Sequence, residues 1–140
     1  MDLSHNRINE PPVVDFCTKL SELRLGWNKL RRPPVISNNT KLKILDLSYN
    51  PTLSEIPDIS NCSELEHLWL SGTNIKYPPD VLEHKRLKSL ALCVFNLPEL
   101  HKIAIKILKR LLPNMRLTIF LRDENVWEDA SITSADLAPL

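Results

Sequence analysis

Leu20-Ser21-Glu22-Leu23-Arg24-Leu25-Gly26-Trp27-Asn28-Lys29-Leu30 decides the fold, because its spacing returns along the chain. Downstream it reads Leu42-x-x-Leu45-x-Leu47-x-x-Asn50, then Leu65-x-x-Leu68-x-Leu70-x-x-Thr73-x-Ile75, then Leu87-x-x-Leu90-x-Leu92-x-x-Phe95-x-Leu97. Upstream it is cut short as Leu3-x-x-Asn6-x-Ile8. The anchors Leu3, Leu25, Leu47, Leu70 and Leu92 stand 22, 22, 23 and 22 residues apart. The connecting halves repeat as well. Val14, Ile36, Ile59 and Val81 each fall six residues before the leucine that opens the next unit, and Pro12, Pro34, Pro57 and Pro79 fall eight before it. Proline fixes φ and offers no N–H, so these returning arms are extended or turn-like and not regular helices. In x-Leu-x-Leu-x the two leucines share one face of a short strand and their neighbours share the other. Strands repeated at this period stack in parallel, their leucines making one continuous core closed on the far side by the arms.

The pattern resembles the leucine-rich repeat family in its short-repeat form, over residues 1 to about 97. The resemblance implies a right-handed arc with a parallel β-sheet on its concave face, a solenoid of the α/β class. It also implies a ladder of side-chain amides, Asn6, Asn28 and Asn50, satisfying backbone groups in the turns. Thr73 can stand in that ladder and Phe95 cannot, so the regular turn should fail in the fifth unit. After Leu97 the period changes. Leu100, Ile103, Ala104, Ile107, Leu108 and Leu111 mark the apolar face of a helix about 98–112, with Lys102, Lys106, Lys109 and Arg110 mostly opposite. Alternation from Met115 to Leu121 then predicts a strand about 116–121, so residues 98–122 read as a C-terminal cap of helix plus strand. Residues 123–140 read as an acidic tail.

The bulk numbers exclude more than they assert. A net charge of +1 gives no drive toward nucleic acid or an anionic membrane, and no apolar run is long enough for membrane insertion. Two glycines argue against phosphate-cradling loops. Three scattered cysteines and no signal-peptide pattern point to a reducing, cytoplasmic setting. Cys17 and Cys62 share a position the family fills with buried apolar side chains, so both read as core. Asn39 and His84 hold that same position in the other arms, which puts close packing of those arms in question. Cys93 has no His or acid at an activating spacing, and the four histidines are dispersed, so no catalytic residue, metal or cofactor is expected.

Solenoids of this kind bind through the concave face, and the register names its residues. Asp2, Arg24, Asp46, Trp69 and Ala91 form the column between the strand leucines. Glu22, Ile44, His67 and Ser89 form the column before it, and His5, Trp27, Tyr49, Gly72 and Val94 lie beyond it. Arg24, Trp27, Asp46, Tyr49, His67 and Trp69 are therefore the candidate protein-binding residues, because Trp, Tyr and Arg dominate interface hot spots. Exposed aromatics on strands also simply favour sheet formation. The expected function is non-catalytic recognition of a protein partner, the identity of which the sequence does not give. The alternatives are a secreted bacterial effector, working in the host cytosol, and the recognition part of a larger enzyme. Because the chain opens in mid-repeat, self-association through an uncapped N-terminal edge is a further expectation, and so is a longer parent horseshoe. The basic helix face could instead meet an anionic lipid surface, although such a face is commonly the wet side of a cap.

Overall fold

A computed structural model describes residues 1–77, 79–95, 110, 114–123 and 126–130. Six strands lie side by side in chain order in one sheet: β1 (Glu22–Arg24), β2 (Ile44–Asp46), β3 (His67–Leu70), β4 (Ser89–Phe95), β5 (Arg116–Asp123) and β6 (Val126–Ala130). β1 to β5 pair in parallel, and β6 returns antiparallel along β5. Asp2 adds a parallel bridge to Arg24 at the N-terminal side. The pairing register is that of the repeat: Leu23 lies opposite Leu45, Leu45 opposite Leu68, and Leu68 opposite Leu90. Each inward leucine of β1 to β4, with the leucine that follows it, is at most 3% exposed. At roughly 1.5–3 kcal/mol for each buried leucine, this single apolar column is the main source of stability.

The connections explain why such short repeats suffice. Each arm consists of two consecutive turns closed by backbone hydrogen bonds between residues three apart. Cys17 N–H donates to Val14 O (2.8 Å) and Leu20 N–H to Cys17 O (2.8 Å), and the same pair of bonds recurs at 36–42, 59–65 and 81–87. Val14, Ile36, Ile59 and Val81, all at most 4% exposed, close the core from this side.

Two expectations are corrected here. The described residues contain strands and turns and no helical element, Arg110 alone having a helical backbone, so the class is an all-β solenoid and not α/β. The physical reason lies in the arms: paired turns beside a proline return the chain in the space a helix would otherwise occupy. Apart from Arg110, the helix placed at about 98–112 lies outside the described residues, and the helix-plus-strand cap gives way to β5 followed by β6. β5 covers the alternating stretch 116–121 and two residues more. Residues 126–130, read from sequence as part of an acidic tail, form β6.

The fifth unit behaves as its lost asparagine implies. In the first four units the residue two beyond the second leucine turns the chain with positive φ: His5 (57°), Trp27 (58°), Tyr49 (54°) and Gly72 (70°). In the fifth, β4 runs on through Cys93, Val94 and Phe95, seven residues against three or four in β1 to β3. With no amide at position 95 to gather turn carbonyls, the backbone stays extended and pairs with β5 instead.

Candidate functional site

The amide ladder is the first device that positions surface residues. Asn50, wholly buried, donates through Nδ2 to Leu25 O (3.0 Å) and Leu47 O (2.9 Å), and its Oδ1 accepts from Leu30 N–H (3.0 Å). Asn28 does the same one rung earlier, donating to Leu3 O (2.9 Å) and Leu25 O (3.0 Å) and accepting from Ile8 N–H (3.0 Å). Thr73 reaches only Leu70 O (2.7 Å), within its own rung. Asn28 and Asn50 therefore do what the resemblance implies, tying each turn to its neighbour, whereas Asn6 reaches only Leu3 O and Ser4 O in its own turn.

A second polar ladder, missed from sequence, runs along the arms. Asn39 Nδ2 donates to Val14 O (3.0 Å) and Cys17 O (2.9 Å), and His84 Nε2 lies 3.0 Å from Ile59 O. Cys62 Sγ stands 3.9 Å from Ile36 O. Asn39, Cys62 and His84 are all buried, so polar residues at this position pack the arms together and do not loosen them. Their shared position, three residues before each opening leucine, was the available signal. The reading of Cys17 as core is corrected: it is exposed, because no preceding arm lies against it among the described residues. Cys62 is buried, and burial pushes its thiol up to about 11, which leaves little of the reactive thiolate at neutral pH.

On the open face of the sheet the registered columns are present as aligned. Arg24 pairs with Asp46, Asp46 with Trp69 and Trp69 with Ala91, while Glu22, Ile44, His67 and Ser89 line up beside them. Trp69 organises this face. Its indole Nε1 donates to Ser89 Oγ (3.0 Å), whose oxygen also lies 2.7 Å from His67 Nδ1. The His67 ring leans against it at 5.8 Å and 48°. Arg24 reaches across the β2 rung to place its guanidinium 5.6 Å from the indole centroid, held from its other side by Glu22 (3.1 Å). Asp46 is turned toward its own rung, accepting from Ser48 N–H (2.9 Å) and from the Ser48 hydroxyl. Asp2 uses the same turn, and its hydrogen bonds from Ser4, with Arg24 nearby, hold its carboxyl below the usual range.

Trp27 and Tyr49 do not join this cluster. They stack on each other at 4.0 Å and 15°, with His5 stacked on the far face of Trp27 at 5.5 Å and 12°. The stack stands on the positive-φ turns at the strand ends. Trp27 is 51% exposed and Tyr49 37%. The candidate residues thus divide into an Arg24–His67–Trp69 group with Asp46 on the sheet face, and a Trp27–Tyr49 group along one edge. The 22-residue interval between His5, Trp27 and Tyr49 was the signal for the stack.

Gly72 ends the stack because nothing larger fits. A Cβ there would sit 2.8 Å from Tyr49 Cδ1 and 3.1 Å from Tyr49 Cα, and its φ of 70° already disfavours a side chain. Gly72→Ala is expected to cost about 1–2 kcal/mol from the left-handed backbone alone, and more if Tyr49 moves. Thermal melting beside wild type checks this; an unchanged melting temperature would mean that residue 72 does not hold the left-handed backbone.

Among the described residues no group of three or more His, Cys, Asp or Glu side chains could hold a metal ion. Nor is any helix among them long and apolar enough to cross a membrane. A shallow depression of about 400 Å³ lies on the arm side, between Ile56, Pro57, Ile59, Pro79 and His84, away from the aromatic groups.

Leucine spacing, parallel registered strands and the asparagine ladder together define the chain as a leucine-rich-repeat-like β-solenoid with repeats of about 22 residues, a fold of the general protein-interaction kind. Its third unit, residues 41–62, matches the family model described as Leucine Rich Repeat. Among curated proteins none matches the chain significantly.

Proposed function

We propose that the chain is a non-catalytic recognition module that binds a protein partner across the open, concave face of its sheet, centred on Trp69. The observation that carries this reading is the Arg24–Trp69–His67–Ser89 network, built on a face that the core does not need. Leu68 and Leu70 on either side of Trp69 are fully or almost fully buried, whereas Trp69 itself is only partly covered. An indole held by one hydrogen bond and one guanidinium is preorganised. A partner that covers it gains aromatic area without ordering the side chain first. Asp46 and Glu22 add acceptors around Arg24 for polar contacts at the rim. The cytoplasmic setting belongs to the same proposal. Of the other roles considered, the effector and the recognition part of a larger enzyme, neither has a described residue in its favour.

The test is a pulldown from cell lysate with wild type beside the Arg24→Ala/Trp69→Ala double variant, read by mass spectrometry. The variant should melt within about 1 kcal/mol of wild type, since it removes surface groups. A partner retained by wild type should be lost from it, with affinity falling at least about tenfold, the usual consequence of removing two hot-spot residues. If a partner is retained equally by the folded variant, the sheet face is not the binding site.

A further inference from the structure

The edge that carries the aromatic stack has a chemistry of its own, distinct from the sheet face. Trp27 and Tyr49 spend their ring faces on each other, on His5 and against Gly72, so neither of these two rings offers a face to a nucleobase or a sugar. What they present outward is ring edge, where aromatic rings carry positive partial charge. The indole N–H of Trp27 and the hydroxyl of Tyr49 make no hydrogen bond among the described residues. Cations follow the stack in the chain. Trp27, Lys29 and Arg31 are exposed, while Asn28 and Leu30 between them are buried. The rung before supplies Arg7, also exposed. The backbone bonds Lys29 N–H to Ile8 O (2.9 Å) and Arg31 N–H to Asn9 O (3.2 Å) hold the two rungs in register. Arg7, Lys29 and Arg31 form no ion pair among the described residues, whereas the neighbouring Arg32 is taken up by Glu10 at 2.7 Å. Donors and cations without a partner among the described residues thus share this edge.

We propose that this edge is a second docking surface and that it takes a short carboxylate-rich segment of a partner protein. Charge complementarity names the occupant, and the surroundings limit its length. Asp2 and Asp46 border the edge on the sheet face and would repel a long polyanion that ran past it. The whole chain carries only +1, so no long-range field gathers nucleic acid. A few carboxylates in an extended segment meet Arg7, Lys29 and Arg31 as charge-assisted bonds and Trp27 and Tyr49 as neutral donors.

The test is fluorescence polarisation with a labelled short peptide of alternating Glu and Gly, titrated with the full chain at low and at high salt. Saturable binding that weakens with salt is expected. Lys29→Glu/Arg31→Glu should weaken it by about tenfold or more, because opposing charge replaces attraction at both positions. The control Lys19→Glu/Arg86→Glu makes the same change of net charge on the arm side and should alter binding by less than about twofold. Arg24→Ala/Trp69→Ala should leave it unchanged, which separates this edge from the sheet face. Among the described residues Lys29 and Arg31 have no side-chain partner to lose, so the double variant should melt like wild type. Absence of saturable binding, or an equal loss in the control, overturns the proposal. So does tighter binding at this edge by a single-stranded oligonucleotide or by phosphatidylserine vesicles than by the peptide.

Discussion

Asn50→Leu is expected to destabilise the protein by about 2–6 kcal/mol, although the new side chain is close in size and better suited to an apolar core. Two backbone groups lose their only partner. Leu47 O has the Asn50 amide at 2.9 Å, and the next rung offers no replacement because Thr73 reaches only Leu70 O. Leu30 N–H donates to Asn50 Oδ1 at 3.0 Å and would be left buried and unpaired. Leu25 O is less affected, because Asn28 Nδ2 also donates to it at 3.0 Å. Two orphaned groups at about 1–3 kcal/mol each give the range. For a domain of this size each kcal/mol lowers the melting temperature by roughly 3–5 °C, so a scanning-calorimetry melt resolves the effect. A loss below about 1 kcal/mol would mean that water or a shifted turn replaces the amide.

The second large effect is Leu68→Ala, expected to cost about 2–5 kcal/mol as a truncated, fully buried leucine. Leu68 lies between Leu45 of β2 and Leu90 of β4, at the middle of the core column. A solenoid has no second layer to collapse into the gap, and each rung touches only its neighbours. The cavity therefore weakens both flanking interfaces at once. Denaturant unfolding should show a lower midpoint, and a broadened transition would report that the two halves have begun to unfold separately. The comparison with Trp69→Ala, one residue away, is decisive for the register. If Trp69→Ala costs as much as Leu68→Ala, the strand's faces are exchanged.

The register was legible because leucine spacing encodes it redundantly: Leu23, Leu45, Leu68 and Leu90 pair as aligned, and so do Arg24, Asp46 and Trp69 on the other face. The arms were legible only in part. Proline excluded helix, yet nothing in a single arm shows that Asn39 or His84 would donate to the arm before it; that bond exists only between units. Cys17 was misread for the same reason, since its burial depends on a neighbour and not on its own unit. The α/β class came with the family resemblance and the helix of the cap from the apolar period over 98–112, and β6 went unread because Glu128 and Asp129 made 126–130 resemble a solvated charge run. Of the candidate binding residues, Arg24, Asp46, His67 and Trp69 lie on the strands, and Trp27 and Tyr49 on the turns beyond them. Their division into two groups was not visible, because ring stacking depends on the positive φ at Trp27 and Tyr49, which the spacing does not specify.

The two polar ladders have a mechanical consequence. Apolar contact between leucines is indifferent to small sliding or rotation of one rung on the next, because it has no preferred direction. Hydrogen bonds are directional, and here they run along the stacking axis as two rails on opposite margins of the cross-section, one through Asn28 and Asn50, the other through Asn39 and His84. Two rails fix pitch and torsion where one would permit a hinge. Arg24 and Trp69 stand two rungs apart and meet at 5.6 Å; Asn50 holds the first of these increments, and beyond it, where Thr73 bonds only within its own rung, the arm rail continues through His84. The shape of the sheet face is thus gauged by side chains that never reach it.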